Sequence, residues 1–289
     1  MQRIKILTDS ACDIPFGKDT ELGILIKGFC VTVDGKSYIE RRDFNNVQFY
    51  KMLEEAREFP KTAQITAYEF HETYKELCAE GYTDVIHVTI SSTGSGTYNN
   101  ALLARDEFYE DNGDKKMKIH IVDSLNYTGV YGYPVIQAAM KVQKGAKVDE
   151  ILSFLEDWFS SAEVLFSAYT LEYTKRSGRI SAAAAFAGEL LGLRPIIRIS
   201  DGVSHVIEKV RGDKNIIPKL IDITMKTMIP HTPYLVMRGC PEEPAEELAK
   251  ALTKKLGYPP EYFCDVGASV ASNCGPRVTG VVLKTAKRR

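Results

Sequence analysis

The chain has 289 residues, of which 44% are hydrophobic, 26% charged and 10% aromatic, a composition that excludes a disordered, collagenous or low-complexity protein. Lys and Arg number 37 against 38 Asp and Glu, a net charge of −1, so no overall field draws the chain to nucleic acid. At about 100–200 residues per domain, the length predicts two domains.

Met1 to Asp9 has too short an apolar run for a signal peptide. No stretch approaches the ~18 apolar residues of a membrane span, since Ala182 to Leu193 is broken by Gly188, Glu189 and Gly192. The six cysteines (Cys12, Cys30, Cys78, Cys240, Cys264, Cys274) form no C-x-x-C pair, so no zinc or redox motif is readable and they read as reduced thiols. The expectation is a cytoplasmic protein, with at most transient membrane contact and a short solvated basic end at Lys284 to Arg289.

In chain order, Ile4 to Thr8 reads as a first strand stopped by the polar turn Asp9 to Pro15. Phe29 to Lys36 reads as a strand running into an Asp-Gly hairpin turn. Asn46 to Glu58 and Ala67 to Glu80 have helical spacing, with Pro60 to Thr66 between them. Asp84 to Ile90 is a buried strand, followed by a small-residue loop and a helix from about Tyr98; Lys118 to Asp123 repeats the pattern, with a helix from about Gly129 to Lys144. Such alternation predicts βαβ crossovers and a parallel sheet covered on both faces.

The second half is less regular. Val164 to Ala168, Pro195 to Ile199 and Val203 to Ile207 read as strands, with Ser200-Asp201-Gly202 where a hairpin turn belongs. Ile216 to Met228 and Glu242 to Leu256 read as helices, and Tyr234 to Met237 and Val278 to Leu283 as extended. This predicts an α+β domain with a mixed sheet, its boundary in the helical stretch Asp149 to Ala162.

Ligands of open parallel sheets bind beyond the carboxyl ends of the strands. Three loops hold that position: Thr8-Asp9-Ser10, Ser91 to Thr97, and Asp123-Ser124. In the middle one, glycines permit close backbone approach, and free N–H groups at a helix start attract an anion. Ser95 and Thr97 add hydroxyls; a tight turn with a Ser/Thr cap is the equal alternative. Asp9, Asp13 and Asp123 read as carboxylate ligands, acid–base groups or, more commonly at strand ends, caps. His87 and His120 read as packed residues inside strands.

Several chemistries are excluded. Thr93-Gly94-Ser95-Gly96-Thr97 lacks the outer glycines of a nucleophile elbow. No phosphate-binding loop or dinucleotide fingerprint exists, and the five histidines show no metal-ligand pairing. Hydroxyls and N–H groups without a base, metal or cofactor are a binding site's inventory. A second dense stretch, Leu171 to Ser181 followed by Ala182 to Phe186, offers Arg179 as an anion partner, with Gly178 as a helix C-cap beside a solvated Arg slightly the preferred reading.

Taken together, these segments resemble the DegV family of bacterial fatty-acid-binding proteins. The resemblance rests on Thr8 to Pro15, Pro60 to Gln64, Ser91 to Tyr98, Asp123-Ser124, Gly178 to Ser181 with Arg194 to Ile197, and Asp201-Gly202 followed by Lys209 to Arg211. These occur in family order over nearly the whole chain. The resemblance implies a two-domain α/β fold: residues 1–155 as a three-layer α/β/α domain with a parallel sheet, residues 156–289 as an α/β domain with a mixed sheet. It also implies one long-chain fatty acid bound between them. Its carboxylate would meet Thr62, Ser95 and Gly96, with Ser92, Thr97, Asp123 and Arg179 close by. The family acts as the non-catalytic, lipid-presenting subunit of a fatty acid kinase, whose separate ATP-dependent subunit phosphorylates the acyl carboxylate for phospholipid synthesis.

Three departures stand out. The family's terminal motif places a His two residues before Gly-Pro-Gly, facing the kinase subunit; here Asn273 holds the His position and Arg277 the last Gly. Ala63 replaces the usual Ser beside Thr62, and Thr93-Gly94 the usual Gly-Leu. The departures at Asn273 and Arg277 predict weak coupling to a standard kinase subunit. The alternatives are a serine-type acyl hydrolase or transferase using Ser95, and a lipid carrier or regulatory protein uncoupled from a kinase.

Overall fold

The computed structural model describes residues 2–112, 116–179 and 192–287. Ile180 and Ser181 of the Gly178 to Ser181 segment, and the small-residue run Ala182 to Phe186, lie outside the described residues. The fold is α/β, with one parallel and one mixed sheet.

The parallel sheet holds β1 (Ile4–Asp9), β2 (Leu25–Lys27), β6 (Asp84–Thr89) and β7 (Lys118–Asp123) in the order β2-β1-β6-β7. All six residues of β6 are buried, which is why it reads as a continuous run rather than an alternation. Helices α1 (Lys18–Leu22), α3 (Ala67–Ala79), α4 (Thr97–Asn112) and α5 (Gly129–Gln143) connect and cover the strands. Because the chain leaves β1 toward β2 on one side and continues through β6 on the other, the order reverses between β1 and β6. Their carboxyl ends flank the crevice at this switch point.

A small antiparallel sheet, β4-β3-β5, comes from β3 (Cys30–Val33), β4 (Lys36–Ile39) and β5 (Lys61–Ala63). The Asp34-Gly35 turn has φ of 46° and 78°, the two positive values that an Asp-Gly hairpin accommodates. The sequence reads β5 only as a spacer between α3 and α2 (Asn46–Glu55). Three residues are too few for a period-2 signal, and the strand exists through its pairing with β3.

The mixed sheet runs β10-β9-β8-β13-β11-β12. Its strands are β8 (Ala162–Ala168), β9 (Leu193–Ser200), β10 (Val203–Arg211), β11 (Leu235–Arg238), β12 (Phe263–Asp265) and β13 (Val278–Lys284). Alternation along its strands gives two apolar faces. Leu165, Ile196, Val236 and Val281 pack under α8 (Ile216–Thr227) and α9 (Glu243–Leu256). Val164, Phe166, Ile197, Ile199 and Met237 face inward. The sequence missed β2, β12 and α10 (Ala268–Cys274), all too short to show a period. It did carry the end of α7 (Glu172–Ser177): Gly178 caps it at φ 66°, as the C-cap reading expected.

Helix α5 packs tightly on the turn after β1. A Cβ on Gly132 would lie 2.1 Å from the Cys12 carbonyl oxygen. Pro134 lacks the N–H that would bond Val130, and the Trp158 indole of α6 (Val148–Phe159) donates to the Val130 carbonyl instead, at 2.8 Å. Gly132→Ala forces α5 off this turn and is expected to cost about 1–3 kcal/mol, read as a lower midpoint in urea denaturation. An unchanged midpoint would show that the helix shifts freely.

Candidate functional site

The switch point is built on buried carboxyls. Asp9, at the end of β1, is fully buried. Its Oδ2 accepts from the Ile90 N–H (2.8 Å), and Oδ1 accepts from the Ala11 N–H (3.2 Å) and the Tyr131 hydroxyl (2.5 Å). It thereby ties β1, the end of β6 and α5 together. Burial outweighs these three donors and pushes its carboxyl up to about 7. Asp123 likewise accepts from the Ser92 and Leu125 N–H groups, at 3.1 and 2.9 Å, shaping the loop after β6. All of this is capping geometry, the commoner of the sequence readings.

Asp13 and Glu40 hold the far wall. Asp13 accepts from the Thr128 hydroxyl (2.6 Å) and the Gly267 N–H (2.9 Å), and burial raises its carboxyl well above the usual range. Glu40 accepts from the Ser10 hydroxyl (2.6 Å) and from both the N–H and hydroxyl of Ser269. Together they anchor the start of α10 against the parallel-sheet side. Glu40 carries no sequence signal; it is recognised only when its partners, 30 and 229 residues away, meet it.

Between the sheets lies a cavity of about 580 Å³, within the ordinary range for small-ligand sites. Its inner walls are apolar and buried: Phe29, Ile90, Val164, Phe166, Ile199 and Met237. Its rim is polar and partly exposed: Thr62, Gln64, Ser92, Ser95, Gly96 and Arg179. Thus the structure brings Thr62, Ser92, Ser95, Gly96, Arg179 and Asn273 around one space. Thr97 stands buried behind Ser95: its N–H donates to Ser95 Oγ at 3.3 Å, and the two hydroxyls are 2.8 Å apart.

Asp123 and Arg277 do not line the cavity. Asp123, expected near the headgroup, acts through the Ser92 amide and faces a separate cleft with Leu152 and Phe159; its two backbone bonds turn it away. Arg277 is exposed, its guanidinium 5.4 Å from the Tyr169 ring centroid, and its backbone is outside the left-handed region, so the step from Gly to Arg imposes no strain here. Asn273 Nδ2 donates to the Ser269 carbonyl at 2.7 Å, and Arg179 donates to the Ser177 carbonyl at 2.6 Å. The sequence did not single out Tyr127, Ser269, Val270 or Cys274, which also line the cavity; all four sit on segments without periodicity.

The histidines stay out of the site. His87 is fully buried, its Nδ1 2.8 Å from the Tyr74 hydroxyl, and burial lowers it to about 3, so it is neutral. His120 pairs with Asp84 at 3.2 Å. The Cys274 thiol, buried against the cavity, is pushed up to about 12 and is a poor nucleophile.

The family model described as an uncharacterised protein of the DegV family matches residues 3–286, and the chain belongs to the DegV family. A DegV domain-containing protein of Caldanaerobacter subterraneus is 32% identical over 98% of this chain and 99% of its own length. A protein of Thermotoga maritima named fatty acid-binding protein is 30% identical, over 99% of each chain. The structure is similar to that of a fatty-acid-binding DegV family protein from Thermus thermophilus, with a TM-score of 0.87, 27% identity, and coverage of 98% of this chain and all of that one. Among the described residues, no helix is long and apolar enough to cross a membrane.

The Asp9 environment sets a pH dependence. With a folded value near 7 against 3.8 when unfolded, the folded state keeps a proton that the unfolded chain loses between about pH 4 and 7. Stability therefore falls as pH rises through that window. Asp9→Asn is expected to flatten the fall, leaving the part that Asp13 contributes, in urea titrations at pH 5 and 7. Identical slopes in the two proteins would contradict this assignment.

Proposed function

We propose that this protein binds one long-chain fatty acid in the cavity between the two sheets, across a domain boundary near residue 155, and presents its carboxylate at the rim to a separate ATP-dependent kinase subunit. The acyl-phosphate would feed phospholipid synthesis, in the cytoplasm. The observation that carries the binding reading is the gradient within one cavity of about 580 Å³, from buried apolar walls to a rim of hydroxyls, amide N–H groups and one guanidinium. Each buried methylene contributes about 0.8 kcal/mol, so a sixteen-carbon chain gains on the order of 12 kcal/mol before association costs.

The polar rim suits a carboxylate. The Thr97 N–H donates to Ser95 Oγ, whose hydroxyl lies 2.8 Å from that of Thr97, and with Thr97 as the donor of that contact the Ser95 proton is left to donate into the cavity that Thr62 and Gly96 also line. A hydrolase would need a base at Ser95. The described lining residues include neither a histidine nor a carboxylate, so geometry favours binding over acyl transfer. Native mass spectrometry of protein purified from a bacterial host tests the reading: a co-purified fatty acid supports it, and ligand-free protein that also ignores added palmitate sinks it.

Thr62→Ala and Ser95→Ala are each expected to weaken fatty-acid binding roughly ten- to a hundredfold, the loss of one hydrogen bond to a charged group, with the fold intact. Calorimetry on delipidated protein decides, and unchanged affinity in both variants removes the carboxylate from this rim.

Kinase coupling is expected to be weak with an ordinary kinase subunit. Asn273 is tied back to its own helix by the Ser269 carbonyl and cannot titrate near neutral pH as His does. Arg277 places an exposed cation where the family has Gly. Reconstituted with a kinase subunit, an Asn273→His/Arg277→Gly double variant should form acyl-phosphate faster than the wild type. Equal rates would show that these two positions do not govern coupling.

A further inference from the structure

At the tip of the β9–β10 hairpin the two walls of the cavity meet at Thr93. Thr93, in the loop after β6, is exposed at the rim, and its hydroxyl donates to the Gly202 carbonyl at 2.7 Å. The same oxygen lies 2.8 Å from Ser91 Oγ and 3.3 Å from the Tyr127 hydroxyl. Gly202 forms the tip of the β9–β10 hairpin with φ of 76°, and a Cβ there would lie 2.7 Å from Thr93 Cγ2 and 2.8 Å from its Oγ1. The tip is seated directly on Thr93, although the partners are 109 residues apart in sequence.

Thr93 belongs to the parallel-sheet side and Gly202 to the mixed sheet, and the cavity lies between them with Ile199 of β9 in its wall. Widening that cavity moves one sheet's loops past the other's, and this bond lies across the seam. The hairpin is also the edge of its sheet: among the described residues β10 pairs only with β9, and most of its residues are exposed or half-buried. Its tip is therefore held by contacts such as this one rather than by a neighbouring strand.

We infer that the Thr93–Gly202 hydrogen bond is a clasp that sets how fast the cavity opens, and hence how fast ligand enters and leaves. The inference rests on the fatty-acid reading for its ligand, but the clasp itself is a property of the empty protein. Thr93→Val keeps the shape and removes the hydroxyl, whereas Thr93→Ser keeps the hydroxyl. An exposed neutral hydrogen bond predicts about a two- to fivefold change in the opening equilibrium.

The experiment has two arms. In ligand-free protein, hydrogen–deuterium exchange of the amides of residues 201–205 is expected to speed up two- to fivefold in Thr93→Val and to stay at the wild-type rate in Thr93→Ser. In stopped flow with cis-parinaric acid, association and dissociation are expected to rise together in Thr93→Val, with Thr93→Ser again at wild-type rates. Unchanged amide exchange overturns the clasp. Faster dissociation with unchanged association also overturns it, because Thr93 would then be holding the ligand rather than the wall. If the wild type binds no fatty acid, the functional reading fails, while the amide-exchange arm still decides whether Thr93 holds the hairpin.

Discussion

The geometry of the site depends on one carboxyl that water never reaches. Asp9 joins the end of β1 to the first residue after β6 and to Tyr131 of α5, the point where strand order reverses. A buried carboxyl is costly to leave unbonded, and here its donors come from the elements that must be aligned. The charge that burial disfavours is the same group whose lone pairs fix the two loops. Loop positions around the crevice are thus determined before any ligand arrives.

Asp13 and Glu40 extend this logic across the molecule. Both take donors from the start of α10, so the helix carrying Ser269, Val270, Asn273 and Cys274 is set by residues from the first 40 of the chain. A helix of seven residues has little stability of its own; its place comes from these partners and from Ala268, Ala271 and Cys274 in the shared core. The cavity is therefore a product of long-range polar pairing as much as of apolar packing.

What the sequence made legible follows from element length. β1, β6, β7, β8 and β13 each run to at least six residues, and the sequence reading lies within one or two residues of their observed ends. The Asp-Gly pairs at 34–35 and 201–202 announced both hairpins, because their φ requirements are local. Thr62 was recognised through a motif, yet its strand β5 was not, since three residues take their conformation from β3. Glu40 and Tyr127 are silent for the same reason: a side chain defined by partners 30 or more residues away leaves no periodic trace. Asp123 shows the opposite case, a residue in the right loop whose carboxylate is consumed by two backbone amides.

The edges of the mixed sheet carry a consequence for how copies of the chain coexist at high concentration. A nine-residue edge strand with, among the described residues, no neighbour on its outer side is a template on which another molecule can continue the ladder. β10 carries a register shift between Val206 and Glu208 and bears Glu208, Lys209 and Arg211, which interrupt that template with a bulge and with charge. At the opposite edge β12 has three residues, and Asp265 is engaged by Arg238 of its neighbour. Among the described residues, neither edge of this sheet offers the long, flat, uncharged strand that edge-to-edge aggregation requires.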